Sequence, residues 1–126
     1  MIVLDTATLL YWTLQPTSLS VKAANMIKEA DEILISTMSV WEIGIKAKRG
    51  HLALPGALDE YVERVKAAYK IKIVAVDEYM WMENVALDWS HKDPADRTIV
   101  ATARIYQCPL VTPDHAILDF YVKAIW

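Results

Sequence analysis

The sequence predicts an α/β fold over residues 1–126, a parallel β-sheet flanked by helices on both faces. Three observations predict it. Apolar strand-like runs alternate with stretches of helical periodicity, the order that builds a parallel sheet covered by helices. Those runs are almost continuously hydrophobic, as strands buried on both faces are. Hydrophobic residues make up 55% and charged residues 23% of the 126 residues, a composition that fills one complete core.

The elements follow in order. The first strand, 1–5, is Met1-Ile2-Val3-Leu4 closed by Asp5. Helical patterns occupy 7–14 and 20–30, and the second strand is 32–36. A helix at 38–49 runs into Arg-Gly-His-Leu-Ala-Leu-Pro-Gly at 49–56, where Gly and Pro mark a loop. A helix at 56–69 leads to the third strand, 71–76, and two more helices lie at 78–88 and 94–106. Asp93-Pro94 opens the last of these, with Asp at the cap and Pro at the first position, where its missing N–H is not needed. Two shorter strands, 109–112 and 122–126, close the chain.

Composition excludes several classes. Only Gly44, Gly50 and Gly56 are present, so no Gly-rich dinucleotide or phosphate loop can form. The single Cys108 cannot make an intrachain disulfide, and no Cys/His cluster reads as a zinc site. A reducing, cytoplasmic home is the expectation. No apolar run approaches the ~18 residues of a membrane span, and no signal peptide is apparent. The net charge of −3 does not advertise nucleic acid. Five Trp in so short a chain predict some exposed aromatic surface and a protein partner.

Four acids are the candidate catalytic residues: Asp5, Glu42, Asp96 and Asp114. Asp5 ends the first strand, and Asp114 follows the apolar pair Leu110-Val111. In a parallel sheet the C-terminal strand ends share one edge, and helix N-termini gather there too. Glu42 lies early in the helix after the second strand, and Asp96 in the first turn of the helix before the fourth. Asp96 shares a stripe with Val100 and Ala103, so it faces inward. Topology alone thus sets all four around one cleft. Clustered carboxylates repel unless a cation or proton sits among them, so the cleft is expected to hold a divalent metal.

Each acid also has an ordinary reading. Asp5 fits an N-cap, and Asp114 can cap a short turn before Ile117. Ser39-Val40-Trp41-Glu42 fits a capping box, and Glu42 with Lys46 fits an i,i+4 ion pair. Asp93-Pro94-Ala95-Asp96 is a good helix start. On these readings the chain is a non-catalytic α/β binding module. They do not explain why all four acids fall on one edge.

At these positions the chain resembles the PIN-domain ribonucleases, in particular the VapC-type toxins of bacterial toxin–antitoxin pairs. Val3-Leu4-Asp5-Thr6 is similar to the family's first acidic motif. Ser39-Val40-Trp41-Glu42-Ile43, with Lys46 and the Gly-x-Leu-x-Leu-Pro pattern at 50–55, is similar to the second. His91-Lys92-Asp93-Pro94-Ala95-Asp96-Arg97, continued by Ile99-Val100-Ala101-Thr102-Ala103, resembles the third, and Leu110-Val111-Thr112-Pro113-Asp114 the fourth. Ala7 and Ala95 replace a His and an aromatic common in the subgroup, and Ser90-His91-Lys92 replaces a His-His-Arg run.

The resemblance implies a single PIN domain over 1–126 and metal-dependent endonucleolytic cleavage of RNA. Mg²⁺ or Mn²⁺ is the expected metal; Asp5 and Asp96 are expected to ligate the principal ion, and Asp114 to bind through water or complete a second site. Glu42 is expected to orient or deprotonate the attacking water. Thr6 and Thr112 are expected to hold the acids or metal-bound waters, with Asp93 beside them. Lys46, Lys48, Arg49, His91 and Lys92 are candidates to receive the RNA backbone. A cognate antitoxin with a basic segment is implied, as is a homodimer, with Leu10-Tyr11-Trp12 as a contributor.

Overall fold

Five short strands form one sheet: β1 (Ile2–Leu4), β2 (Ile33–Ser36), β3 (Ile71–Val74), β4 (Leu110–Val111) and β5 (Ala124–Ile125). Their order is β3-β2-β1-β4-β5, and every pairing is parallel. Seven helices connect them: α1 (Thr6–Leu14), α2 (Val21–Glu29), α3 (Thr37–Lys48), α4 (Leu58–Ala67), α5 (Glu78–Ala86), α6 (Pro94–Tyr106) and α7 (His115–Phe120). A computed structural model describes all 126 residues.

Side-chain alternation along β1 creates two cores. Ile2 and Leu4 point to one face and pack with Leu9 of α1, Ile27 of α2, Ile43 of α3 and Tyr61 of α4. Val3 points to the other and packs with Met80 of α5, Ile99 and Val100 of α6, and Ile117 of α7. Helices therefore cover both faces, as the unbroken hydrophobicity of β1 and β2 predicts. The run at 71–76 behaves differently. β3 is an edge strand, so Lys72 is exposed, and the strand stops at Val74. Beyond it the Val76 N–H leaves the ladder and donates to Thr37 Oγ1 at 3.1 Å.

Local chemistry sets the helix ends. Ser20, Asp77 and Asp93 cap α2, α5 and α6 through side-chain oxygens that accept helix N–H groups. Ser36 caps α3 by accepting from Met38 N at 3.1 Å, so the helix starts before Ser39. This corrects the capping-box reading: Ser36 is the cap, and Ser39 and Glu42 lie inside the helix. α6 is the most deeply buried helix, with Thr98, Ile99, Val100, Ala101, Thr102 and Ala103 all out of solvent. Its residue Asp96 therefore enters the protein at the inner side of its first turn. Gly44 lets α4 approach α3, since a Cβ there would stand 2.8 Å from Leu58 Cδ2. No helix is long and apolar enough to cross a membrane.

Of the five Trp, Trp41 and Trp81 are exposed, at 60% and 45%. The segment Leu10-Tyr11-Trp12 is half-buried. Leu10 and Trp12 pack against the core, and the Tyr11 ring lies 6.1 Å from that of Trp126. The exposed Trp side chains sit on α3 and α5, and Tyr69, between α4 and β3, is exposed as well.

Candidate active site

The sheet order reverses between β1 and β4: the chain moves outward through β2 and β3, then crosses back. Such a switch point opens a crevice at the C-terminal strand ends. Leu4 is paired with Val111, so both strands end level, and Asp5 and Thr112 emerge side by side. Asp5 is 5% exposed, and each of its oxygens accepts one hydrogen bond. Its Oδ1 accepts from Thr8 N at 2.8 Å, capping α1, and its Oδ2 accepts from Thr112 Oγ1 at 2.5 Å. Thr112 Oγ1 in turn accepts from Asp114 N at 3.0 Å. One hydroxyl thus ties the first acid to the backbone of the fourth.

Glu42 comes from the second turn of α3. Thr6 Oγ1 lies 2.5 Å from Glu42 Oε1 and 2.9 Å from Ser39 Oγ. One hydroxyl proton serves one acceptor, so Thr6 donates to Glu42 and accepts from Ser39. Asp96 Oδ2 accepts from His91 Nε2 at 2.8 Å. Asp114 caps α7, its Oδ1 accepting from Ala116 N at 2.8 Å. Asp5, Glu42, Asp96 and Asp114 line one cleft of about 450 Å³, together with Thr6, Asp93 and Lys46. The capping readings of Asp5, Asp93 and Asp114 therefore describe real bonds. A cap occupies one carboxylate oxygen and leaves lone pairs free, so capping and lining the cleft coexist. A larger groove of about 730 Å³ runs past Trp41 between α3 and α4, but it is apolar and its charged groups are Lys48 and Lys66.

The cleft is short of positive charge. Burial pushes the Asp5 carboxyl above its ordinary pKa, against the bonds from Thr112 and Thr8, and the Asp96 charge adds to the rise. Burial also raises Glu42, with Thr6 and Lys46 drawing it back and Asp96 and Asp93 pushing it up. Asp96 is raised by burial first and then by Asp93 and Asp114, against the bond from His91. Lys46 is the one cation lining the cleft and acts on Glu42 through space. The expected Glu42–Lys46 ion pair does not close: the salt bridges are Lys66–Glu63, His91–Asp96 and Arg104–Glu83. The acids line the cleft without closing on a common point: no three His, Cys, Asp or Glu side chains stand close enough together to hold a metal ion as they are arranged here.

The remaining sequence candidates separate. Lys48 lines the Trp41 groove, while Arg49 and Lys92 are exposed outside the cleft. His91 meets Asp96 from outside the lining. Two residues that support the site were not candidates for it in the sequence. Ser39, one turn before Glu42, backs Thr6, and Arg97, next to Asp96, binds four backbone carbonyls, one in the last turn of α5 and three in the segment between α5 and α6. Thr112→Val keeps the shape of its side chain but strands Asp5 Oδ2 and Asp114 N–H. It is expected to cost about 1–3 kcal/mol in urea unfolding. A loss within experimental error would show that Thr112 does not organise the site.

The comparisons with known proteins agree with this architecture. The PIN domain family model matches residues 2–123. Ribonuclease VapC22 of Mycobacterium tuberculosis (strain ATCC 25618 / H37Rv) is 29% identical over 117 residues, 92% of this chain and 88% of that protein. Two solved structures share the fold. A toxin–antitoxin complex from Klebsiella pneumoniae matches with a TM-score of 0.72 at 18% identity, covering 100% of this chain and 97% of that one. FitAcB from Neisseria gonorrhoeae matches with a TM-score of 0.69 at 18% identity and the same two coverages, 100% and 97%. Strand order, acid positions and the near end-to-end family match converge on one assignment: this chain belongs to the PIN domain family.

Proposed function

We propose that this protein is an endoribonuclease toxin that hydrolyses RNA phosphodiester bonds with a bound divalent cation, Mg²⁺ or Mn²⁺, and that a cognate antitoxin neutralises it. The observation that carries this reading is the meeting of Asp5, Glu42, Asp96 and Asp114, from four separate segments, in one cleft at the switch point. The relative named Ribonuclease VapC22 and the neighbouring toxin–antitoxin complex support it.

The donor set suits such a cation. Every candidate ligand is a carboxylate oxygen, the hard donor that Mg²⁺ and Mn²⁺ prefer. Glu42 Oε2, Asp96 Oδ1 and Asp114 Oδ2 accept no protein hydrogen bond. An open arrangement fits Mg²⁺, which keeps several waters and takes one or two carboxylates directly. Asp5 and Asp96 would hold the principal cation, and Asp114 would reach it through water or complete a second site. When bound, the cation supplies charge neutralisation at the phosphate and acidifies a water.

The chain's own residues do the rest. Thr6 fixes Glu42 at Oε1, so its free Oε2 is the oxygen that orients the attacking water and takes its proton. A carboxyl raised by burial is a better proton acceptor than an ordinary one. Lys46 meets the RNA backbone at the cleft wall, and Thr112 and Asp93 hold the surrounding backbone. Without a cation, the acids repel RNA phosphate.

The antitoxin would place a basic segment in the acidic cleft. The exposed Trp41 and Trp81 supply apolar surface for a protein contact, whether antitoxin or a second copy in a homodimer. The buried Cys108 and the lack of disulfides suit a cytoplasmic setting.

The test is cleavage of single-stranded RNA by purified protein with Mn²⁺, with EDTA, and with Asp5→Asn. Products that appear with Mn²⁺ and vanish in the other two conditions are the expected result. Intact RNA throughout, or equal cleavage by Asp5→Asn, would favour a non-catalytic binding module whose acids serve only as caps.

A further inference from the structure

Beside the cleft stands a stack of three rings that the reading above does not use. Trp89, in the segment between α5 and α6, is sandwiched between Phe120 at the end of α7 and His91. Both ring-centroid distances are 4.6 Å, with interplanar angles of 8° to Phe120 and 29° to His91. The last ring of the stack is the one whose Nε2 lies 2.8 Å from Asp96 Oδ2. A carboxylate accepts, so Nε2 carries the proton. Asp96 Oδ1 is then the oxygen left without a protein partner.

Arg97 holds the backbone under this stack. Its Nη1 donates to the carbonyls of Trp89 at 2.6 Å and His91 at 3.0 Å. Its Nη2 donates to those of Asn84 at 2.7 Å and Leu87 at 3.1 Å. The guanidinium has no carboxylate partner; it is committed to four backbone carbonyls, of which those of Trp89 and His91 accept no backbone N–H. A connecting segment is ordinarily the mobile part of a fold. Here it is fixed from below by Arg97 and from the side by Phe120. Phe120 belongs to the helix capped by Asp114, and Arg97 follows Asp96. The stack therefore joins the element carrying the fourth acid to the element carrying the third, outside the cleft.

We propose that Trp89, Phe120 and Arg97 are positioning residues that hold His91 on Asp96, and so fix which oxygen Asp96 presents to a cation. The proposal rests on the metal-site reading above. A carboxylate with one oxygen committed has lost its free rotation before the cation arrives. Partners of metal ligands that act in this way change metal affinity by about 10–100-fold when removed.

The test is a double-mutant cycle read by calorimetric titration with Mn²⁺, and by the thermal midpoint of each metal-free variant. His91→Ala and Trp89→Ala are each expected to weaken Mn²⁺ about tenfold. In the His91→Ala background, Trp89→Ala should weaken it no further, because the route from stack to Asp96 is already cut. Trp89→Phe keeps a ring in the sandwich and should restore most of the affinity. Should Trp89→Ala fold poorly, Phe120→Leu keeps an apolar side chain, loses the aromatic face and is expected to follow the same pattern. Normal Mn²⁺ affinity in both stack variants, or the same loss with and without His91, would overturn the proposal. Asp5→Asn separates the two ideas: wild type that takes up no Mn²⁺, or binds it no better than Asp5→Asn, overturns the metal site itself and this proposal with it.

Discussion

Asp96→Asn is expected to lower RNA cleavage by about a hundredfold or more, the scale on which single charge-stabilising groups act in active sites. In the same variant, the thermal midpoint of metal-free protein at neutral pH should rise. Asn keeps the size of the side chain and an oxygen for His91 Nε2. It removes a half-buried charge that Asp93 and Asp114 oppose. Loss of activity with gain of stability is the signature of a charge held for function rather than for folding. A purely structural Asp96 predicts the opposite pair, lower stability and little loss of cleavage. The two assays on one preparation decide it.

The second large effect concerns pH and cation together. The carboxyls of Asp5, Glu42 and Asp96 are all raised, so the folded state binds their protons more tightly than the unfolded chain does. By linkage, their contribution to stability falls as pH rises from the ordinary values, 3.8 for Asp and 4.5 for Glu, through the folded ones. Below that window the penalty is absent, and above it the penalty is complete. Metal-free protein is therefore expected to gain thermal stability as pH is lowered from about 7 towards about 5. Mn²⁺ binds the ionised acids and should reverse that slope. At a hundredfold excess over its Kd it contributes about 2.7 kcal/mol, roughly 10 °C in midpoint for a chain of this size. Asp5→Asn or Asp96→Asn should remove most of this gain. An equal gain in wild type and both variants would place the cation elsewhere.

Much of the frame was legible in the sequence because its signals are local. The unbroken apolar runs of β1 and β2 mark strands buried on both faces, and alternation with helices implies a parallel sheet. Parallel topology then brings Asp5 and Asp114 to one edge, since Leu4 and Val111 end level. What stayed hidden depends on tertiary packing or on elements too short to show a period. α7 has only six residues, and the sequence revealed just the cap at Asp114. β3 reads like a central strand, but its position at the sheet edge exposes Lys72. Ser39 looked like a helix cap because Glu42 follows at the right spacing, while Ser36 three residues earlier takes that role. Leu10-Tyr11-Trp12 reads as aromatic surface, and α1 leaves it half-buried, with Leu10 and Trp12 leaning on the core. The stack of Phe120, Trp89 and His91 joins segments far apart in the chain, and no spacing rule reports it.

The central claim is that four acids from separate segments form one cation site, and the most direct measurement is anomalous diffraction from crystals grown with Mn²⁺. The account predicts a manganese peak in the cleft, with a carboxylate oxygen of Asp5 and one of Asp96 at about 2.1 Å. It also predicts that the peak is lost in Asp96→Asn. A peak bound away from these acids, or one that survives in Asp96→Asn with the same occupancy, would contradict it.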